Sequence, residues 1–276
     1  MNRLKGIVGM NEKNLLNGVE DTLYIPLAAR IYASEKFPEF FYDEKALSLK
    51  QYIPTDSIEN NTTEYFYMAS VCRQQTIDRK IRGFLKENNR SNVVFLGAGL
   101  ETAYNRIGNA ESDFFQVDLP NVMDIRKKVL GNEDNEKLIS GDMFTLDWIK
   151  EIDTSQPTMI VVSGVYQYFA ESKIIDMIKK MKSRIAKGEV IFDATNSKGL
   201  ELANKYVRKT GNTDAQMYFS VDNPKDFANN IYKLLTDNEF YNFISSNAHK
   251  DIYVSWEQQI QNIYANYVRV IEEYNK

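Results

Sequence analysis

One cysteine and one histidine in 276 residues leave few routes to metal or nucleophilic-relay chemistry. The lone Cys72 allows neither an intramolecular disulfide nor a cysteine-based metal cluster. The lone His249 sits in a polar stretch, Ser246-Asn247-Ala248-His249-Lys250, and reads as a solvated loop residue. Without a second histidine, zinc hydrolysis and Ser-His-Asp catalysis are both disfavoured, and no metal site is expected. No apolar run is long enough to span a bilayer, and Met1 to Met10 lacks the apolar core of a signal peptide, so the cytoplasm is the default location. Lys plus Arg total 34 against 38 for Asp plus Glu, a formal charge of −4, so no global attraction to nucleic acid or to an anionic membrane is expected. A phosphate loop is missing as well, since nothing reads Gly-x-x-x-x-Gly-Lys-Ser/Thr.

What the chain does carry falls into two halves of different texture. From Asn11 to about Asn89 there is no strand alternation and there are no glycine turns. Leu23, Ile25, Leu27, Ala28, Ile31 and Tyr32 fit one helical stripe that closes near Phe37-Pro38. Asp43 to Tyr52 reads as a second helix and Thr62 to about Lys86 as a third. From Asn92 the pattern alternates between strand and helix. Apolar runs at 93–96, 114–117, 137–140, 158–162 and 190–192 alternate with helical segments that include 119–130 and 173–186. Continuous apolar runs separated by helices are what a parallel sheet covered on both faces requires. The expected fold is therefore α/β and Rossmann-like, a mostly parallel twisted sheet with helices on both faces. A helical cap over residues 1–90 is expected to pack on a core of residues 91–276. Later assignments are a helix from 200 to 209, one from Asn223-Pro224 through Leu235, strands near 241–245 and 252–255, and a closing helix from 256 to 274.

The stretch from Ser91 to Asp118 organises this second half. A strand runs into Gly97-Ala98-Gly99, where two glycines allow a tight turn and close approach of a ligand to bare backbone. A helix follows, and then a second strand that ends on Asp118. Acids recur at strand ends, at Asp118 and again at Asp142, and the fourth strand ends at Ser163-Gly164. All would lie on the carboxyl edge of the sheet, where open α/β folds bind ligands. A nucleoside there would give its ribose to Asp118 and its adenine amino group to Asp142. The dinucleotide fingerprint wants a third glycine where this chain has Thr102. With no pyrophosphate to hold, S-adenosyl-L-methionine fits the pattern better than NAD.

The same residues resemble a known family. Val93 through Thr102, followed by Arg106, is similar to the glycine-turn signature of the leucine carboxyl methyltransferase-like superfamily, which includes bacterial polyketide O-methyltransferases of the tetracenomycin type. Four further blocks match in order: Arg73-Gln74-Gln75-Thr76-Ile77-Asp78, Val117 to Pro120, Ser140 to Met143 with Trp148, and Pro157 to Phe169. The resemblance implies a class I S-adenosylmethionine-dependent O-methyltransferase. Arg73 would pair with the methionyl carboxylate as a charged, two-pronged hydrogen bond. Gly97, Ala98 and Gly99 would admit the methionyl part, Asp118 with Leu119 would hold the ribose, and Asp142 with Met143 would flank the adenine. Ser163 and Gly164 would supply backbone contacts near the methionyl amine. Three positions depart from the pattern: Glu101 replaces an Asp, Ala103 an Arg, and Ser163 a Glu, the last removing a carboxylate beside the cofactor.

In methyl transfer from a sulfonium the protein aligns the acceptor oxygen and excludes water. A carboxylate acceptor needs no base at neutral pH, whereas a hydroxyl is helped by one. The expected partner is a small-molecule methyl acceptor, with a carboxylate or hydroxyl, from polyketide or secondary metabolism. Tyr166 and Tyr168 are candidates for positioning it. Two other readings stay open, an NAD-dependent oxidoreductase and a cofactor-binding protein without turnover.

Overall fold

The computed structural model describes residues 23–52, 63–108, 111–131, 136–209, 215–237 and 239. Their contacts divide the chain into two compact units, Met1–Asp222 and Asn223–Lys276.

The first unit is built on five strands: β1 (Asn92–Leu96), β2 (Asp113–Asp118), β3 (Glu136–Ser140), β4 (Thr158–Val162) and β5 (Gly188–Phe192). They pair in the order β3-β2-β1-β4-β5, and every pairing is parallel. The five runs expected as strands between 93 and 192 are strands, and the α/β class with a parallel sheet stands. β1 and β4 are buried along their whole length, which explains why their sequences are continuous apolar runs rather than alternating ones. The strand order reverses at β1: β2 and β3 lie on one side, β4 and β5 on the other. A crevice opens at such a reversal, at the carboxyl ends of the strands.

Helices cover both faces. α1 (Tyr24–Lys36), α2 (Glu44–Ser48) and α3 (Glu64–Glu87) come from the helical half. On α3, Ile77, Ile81, Phe84 and Leu85 pack with Val93, Phe95, Phe114, Met159 and Val161, alternate residues of three strands and so one face of the sheet. α1 reaches elsewhere: Leu27 and Ile31 join Leu100 after the glycine turn and Val122, Ile125 and Leu130 of α5 (Pro120–Leu130). Ala28, Ala29 and Ala33 of α1 pack against Tyr67 and Val71 of α3, small residues that let the two helices approach closely. The short α4 (Ala103–Ile107) follows the glycine turn. α6 (Glu171–Lys182) buries Ile174, Met177, Ile178 and Met181, an i, i+3, i+4, i+7 stripe. α7 (Ser197–Lys209) starts where Asp222 accepts hydrogen bonds from the Ser197 amide and hydroxyl at 2.9 and 3.0 Å.

The expected second helix, 43–52, divides into α2 and a 3-10 turn at Lys50–Tyr52. Asp43 is its cap rather than its first residue, accepting from the Ala46 amide at 2.8 Å. The second unit contributes α8 (Pro224–Thr236), with the expected proline in the first turn. The late strands near 241–245 and 252–255 and the closing helix lie outside the described residues, as does His249. Among the described residues no helix is long and apolar enough to cross a membrane.

Candidate functional site

The turn after β1 is where backbone conformation and packing are most constrained. Gly97 and Gly99 have φ of 69° and 50°, values that side chains with a Cβ rarely adopt. A Cβ on Gly97 would also collide with the Val165 side chain, so the loops after β1 and β4 touch here. The Gly97 and Ala98 amides donate to the Val117 carbonyl at 2.9 and 3.1 Å. The Gly99 amide donates to Asp118 Oδ2 at 2.7 Å, and the Leu119 amide to Asp118 Oδ1, also at 2.7 Å. Asp118 is thus held by two backbone amides, one from the turn after β1 and one from the residue after β2.

Two buried arginines fix the turn from outside. Arg126 of α5 donates from Nη1 to the Gly99 carbonyl at 3.0 Å and from Nη2 to Glu136 at 2.6 Å. Burial lowers the Arg126 pKa, and the Glu136 carboxylate works against that shift. Arg30 of α1 donates to the Leu100 carbonyl at 2.7 Å, to Thr102 Oγ1 at 2.6 Å and to Glu101 at 3.2 Å.

Glu101 is the hub of a larger buried network. It accepts from Arg106 Nη2 at 2.9 Å, from the Thr102 amide at 2.8 Å and, through its other oxygen, from Gln74 Nε2 at 2.6 Å. Arg106 also grips Asp78 in a two-pronged contact at 2.8 and 2.9 Å and reaches Asp43 at 2.7 Å. Burial alone would raise the Glu101 pKa, but Arg106 and Arg30 hold it down at about 2. The Arg106 pKa rises well above its ordinary value because the three acids outweigh its desolvation. α1, α2, α3 and α4 are therefore tied to the glycine turn through buried charge. A charge buried with excellent geometry is costly to unpair, so this arrangement resists change in any one member.

A cavity of about 430 Å³ lies over the turn, within the range of roughly 300–1,000 Å³ common for small-molecule sites. Its wall includes Arg73, Gly97, Ala98, Gly99, Asp118, Leu119, Asp142, Met143, Ser163, Gly164 and Tyr168, so these sequence-nominated residues converge on one space. Asp142 accepts from the Phe144 amide at 2.9 Å, capping the turn Met143–Thr145. Trp148, buried, donates to the Met143 carbonyl at 3.0 Å and so fixes the next residue.

Tyr166 is placed differently. It lies fully buried behind the wall against Phe192, at a ring separation of 5.3 Å, and it is absent from the cavity lining. Burial raises its pKa, and its hydroxyl has no partner among the described residues. Tyr168, in contrast, lies in the wall and packs with Ile25, Phe66 and Met217 around Val207 and Ala215.

Arg73 meets a partner that the sequence did not suggest. Its Nη1 donates to Asp193 Oδ2 at 2.8 Å, and Asp193 Oδ1 accepts from the Gly164 amide at 2.6 Å. Asp193 follows β5 and is a third acid at a strand end, the same signal that singled out Asp118 and Asp142. Arg30, Gln74 and Arg126 carried no such signal, because nothing in a helical stripe marks which arginine turns inward.

The strand order sets the layout of charge around the cavity. Asp118 ends β2 and Asp142 follows β3 on one side of the turn, while Arg73 lies on the other, against Gly164 after β4. From β3 to β4 is three strand spacings, roughly 14 Å. The site therefore suits an elongated ligand with hydroxyl or amino donors at one end and an anion at the other.

Residues 23–182 match the leucine carboxyl methyltransferase family. The tetracenomycin polyketide synthesis O-methyltransferase TcmP of Streptomyces glaucescens is 24% identical over 223 residues, covering 80% of this chain and 82% of that protein. A DUF574 family protein from Streptomyces avermitilis is similar in structure at a TM-score of 0.46 and 12% identity, over 71% of this chain and 79% of the other. The plantazolicin methyltransferase BamL, solved with SAH and a triazolic desmethylPZN analog, gives a TM-score of 0.41 at 16% identity, over 80% and 77%. Structural likeness that loose carries no functional weight; the family match does. It spans more than half of the sequence, and the chain belongs to the leucine carboxyl methyltransferase family, as an S-adenosylmethionine-dependent methyltransferase.

Proposed function

We propose that S-adenosylmethionine occupies the cavity with its adenosine toward Asp118 and Asp142 and its amino-acid end toward Arg73, and that the enzyme methylates an oxygen of a small organic acid. The observation that carries this reading is the separation of acids and guanidinium on either side of the glycine turn. The residues fit such a ligand in detail. Asp118, steadied by two amides, brings a carboxylate to the cavity wall, where a ribose diol would donate to it. Among the described residues Arg73 Nη2 has only the long 3.4 Å contact to Ser70, so a donor remains for a carboxylate. The bare backbone of Gly97 and Gly99 permits close approach between the two ends. When bound, the cofactor supplies the electrophilic methyl group. The protein's part is to hold both reactants in line and keep water out.

Proton bookkeeping supports a carboxylate as the acceptor. Glu101, with a pKa of about 2, takes up no proton near neutrality, and the Tyr166 phenol stays protonated because burial disfavours its anion. Neither serves as a base, which favours an acceptor that arrives already ionised, a carboxylate. A hydroxyl acceptor is the second reading. Tyr168 and its apolar neighbours would form the acceptor wall, and the TcmP relative supports a polyketide-like molecule as the source of the carboxylate. The nicotinamide alternative gives way to the family match. A cofactor binder without turnover remains the alternative that assay must separate.

Calorimetry with S-adenosylmethionine and its demethylated product tests the first part. Micromolar or tighter binding is expected, and Asp118→Ala should weaken it by about 1.5–3 kcal/mol, as for a lost hydrogen bond to a charged group. Binding of NAD but not of the sulfonium, or an unchanged affinity in Asp118→Ala, refutes the assignment. Transfer of labelled methyl to carboxylic acids and not to phenols is expected; transfer to no member of a broad panel favours the binder.

A further inference from the structure

We propose that Asp193 is a positioning residue for cofactor recognition: it presents the Arg73 guanidinium to the amino-acid end of the ligand and ties that guanidinium to the turn after β4. The inference rests on the reading that this end lies at Arg73. Three observations carry it. One carboxylate bridges both walls of the cavity, since Asp193 Oδ2 accepts from Arg73 of α3 at 2.8 Å and Oδ1 from the Gly164 amide at 2.6 Å. Gly164 has φ of 73°, and its bare face lies under the guanidinium, where a Cβ would stand 3.7 Å from both Nη1 and Nη2. Arg73 Nε and, one residue before Gly164, Ser163 Oγ are buried and have no hydrogen-bond partner among the described residues. Buried polar atoms left unsatisfied on both residues mark this corner as one not built for stability alone.

The pair itself is a poor stabilising device. Arg73 and Asp193 side chains are 25% and 21% exposed, and isolated ion pairs of that exposure contribute little to folding. Its effect on a ligand has two opposing parts. The Asp193 charge cancels part of the attraction that Arg73 exerts on an anion. Against that, a free arginine must give up its rotamer freedom on binding, a cost that an already fixed side chain avoids. One further term favours positioning: a fixed fork can meet a carboxylate with both donors at once. Positioning should therefore outweigh charge cancellation, and the sign of the effect is open to measurement.

The test uses two ligands that differ only at the relevant end: S-adenosylhomocysteine, and methylthioadenosine, which lacks the amino-acid group. Their affinities are measured by calorimetry on the whole protein. Asp193→Ala is expected to weaken S-adenosylhomocysteine at least ten-fold and to leave methylthioadenosine within two-fold. Arg73→Ala should show the same pattern, and adding Asp193→Ala to it should cause no further loss, because Asp193 acts through Arg73. Methylthioadenosine binding also reports that the variant is folded. If Asp193→Ala does not fold, Asp193→Asn takes its place, with the same selective loss expected. Equal loss of both ligands would make Asp193 merely structural and overturn the proposal. So would unchanged or tighter S-adenosylhomocysteine binding, the latter showing that charge cancellation dominates. If Arg73→Ala itself leaves S-adenosylhomocysteine unaffected, the underlying placement of the cofactor fails and the proposal fails with it.

Discussion

Replacing Glu101 by Gln removes one charge from the network that joins the helical half to the glycine turn while preserving the side-chain shape. The amide oxygen can still accept from Arg30, Arg106 and the Thr102 amide, at the present 3.2, 2.9 and 2.8 Å. The new NH2 group would face Gln74 Nε2, now 2.6 Å from the carboxylate, so two donors meet unless Gln74 turns round. A lowering of the Glu101 pKa from 4.5 to about 2 corresponds to about 3 kcal/mol favouring the charged form in the folded protein. That agrees with the roughly 3–5 kcal/mol lost when one partner of a buried pair is removed. In urea, with a slope near 3 kcal/mol per molar for a chain of this size, the midpoint should fall by about 1 M at pH 7 with the slope unchanged. Because the folded pKa is depressed, the contribution is fully present above pH 4.5 and is lost as pH falls through about 2. At pH 3 the gap between wild type and Glu101→Gln should therefore have shrunk to about 1.5 kcal/mol. A midpoint shift under 0.3 M at pH 7, or a gap that does not narrow on acidification, would refute the view that Arg30 and Arg106 hold Glu101 ionised.

Gly97→Ala should lower both stability and cofactor affinity, since the new Cβ meets Val165 and a left-handed conformation costs a further ~1–2 kcal/mol. Adding Val165→Ala should restore only part of the thermal midpoint, and full restoration would show that backbone conformation is not limiting. Tyr166→Phe removes a buried hydroxyl that has no partner among the described residues, so stability should hold or rise by up to ~1 kcal/mol and methyl transfer should persist. Loss of transfer with cofactor binding intact would instead give that hydroxyl a role in turnover.

The parts legible in the sequence were those set by short-range pattern. Val93 to Leu96 and Thr158 to Val162 are apolar throughout because both faces of the central strands are covered, and Gly97 marks a turn that no other residue fits. Asp118, Asp142 and Ser163 could be placed on one edge because a parallel sheet brings all strand ends to one side. β3 was read one residue short, since Glu136 looks like loop until its pairing with Arg126 and Gln116 is known. The buried network was not legible at all. Arg30 lies 71 residues from Glu101, and Arg106 63 from Asp43, so partner choice there is settled only by packing. Asp193 obeys the same strand-end rule as Asp118 and Asp142. Its place in the fold depended on where α3 would lay Arg73.

The grip of Arg30 on the Leu100 carbonyl has a practical consequence for chimeras. The helical half offers an obvious fragment to exchange, but α1 also supplies a counter-ion to the glycine turn beneath the cavity. A transplanted segment lacking an arginine at this point, with an acid equivalent to Asp43 beside it, would leave Glu101 short of a partner. Grafts that keep Arg30 and Asp43 and vary only the side chains around Tyr168 would change that wall of the cavity while leaving the floor intact.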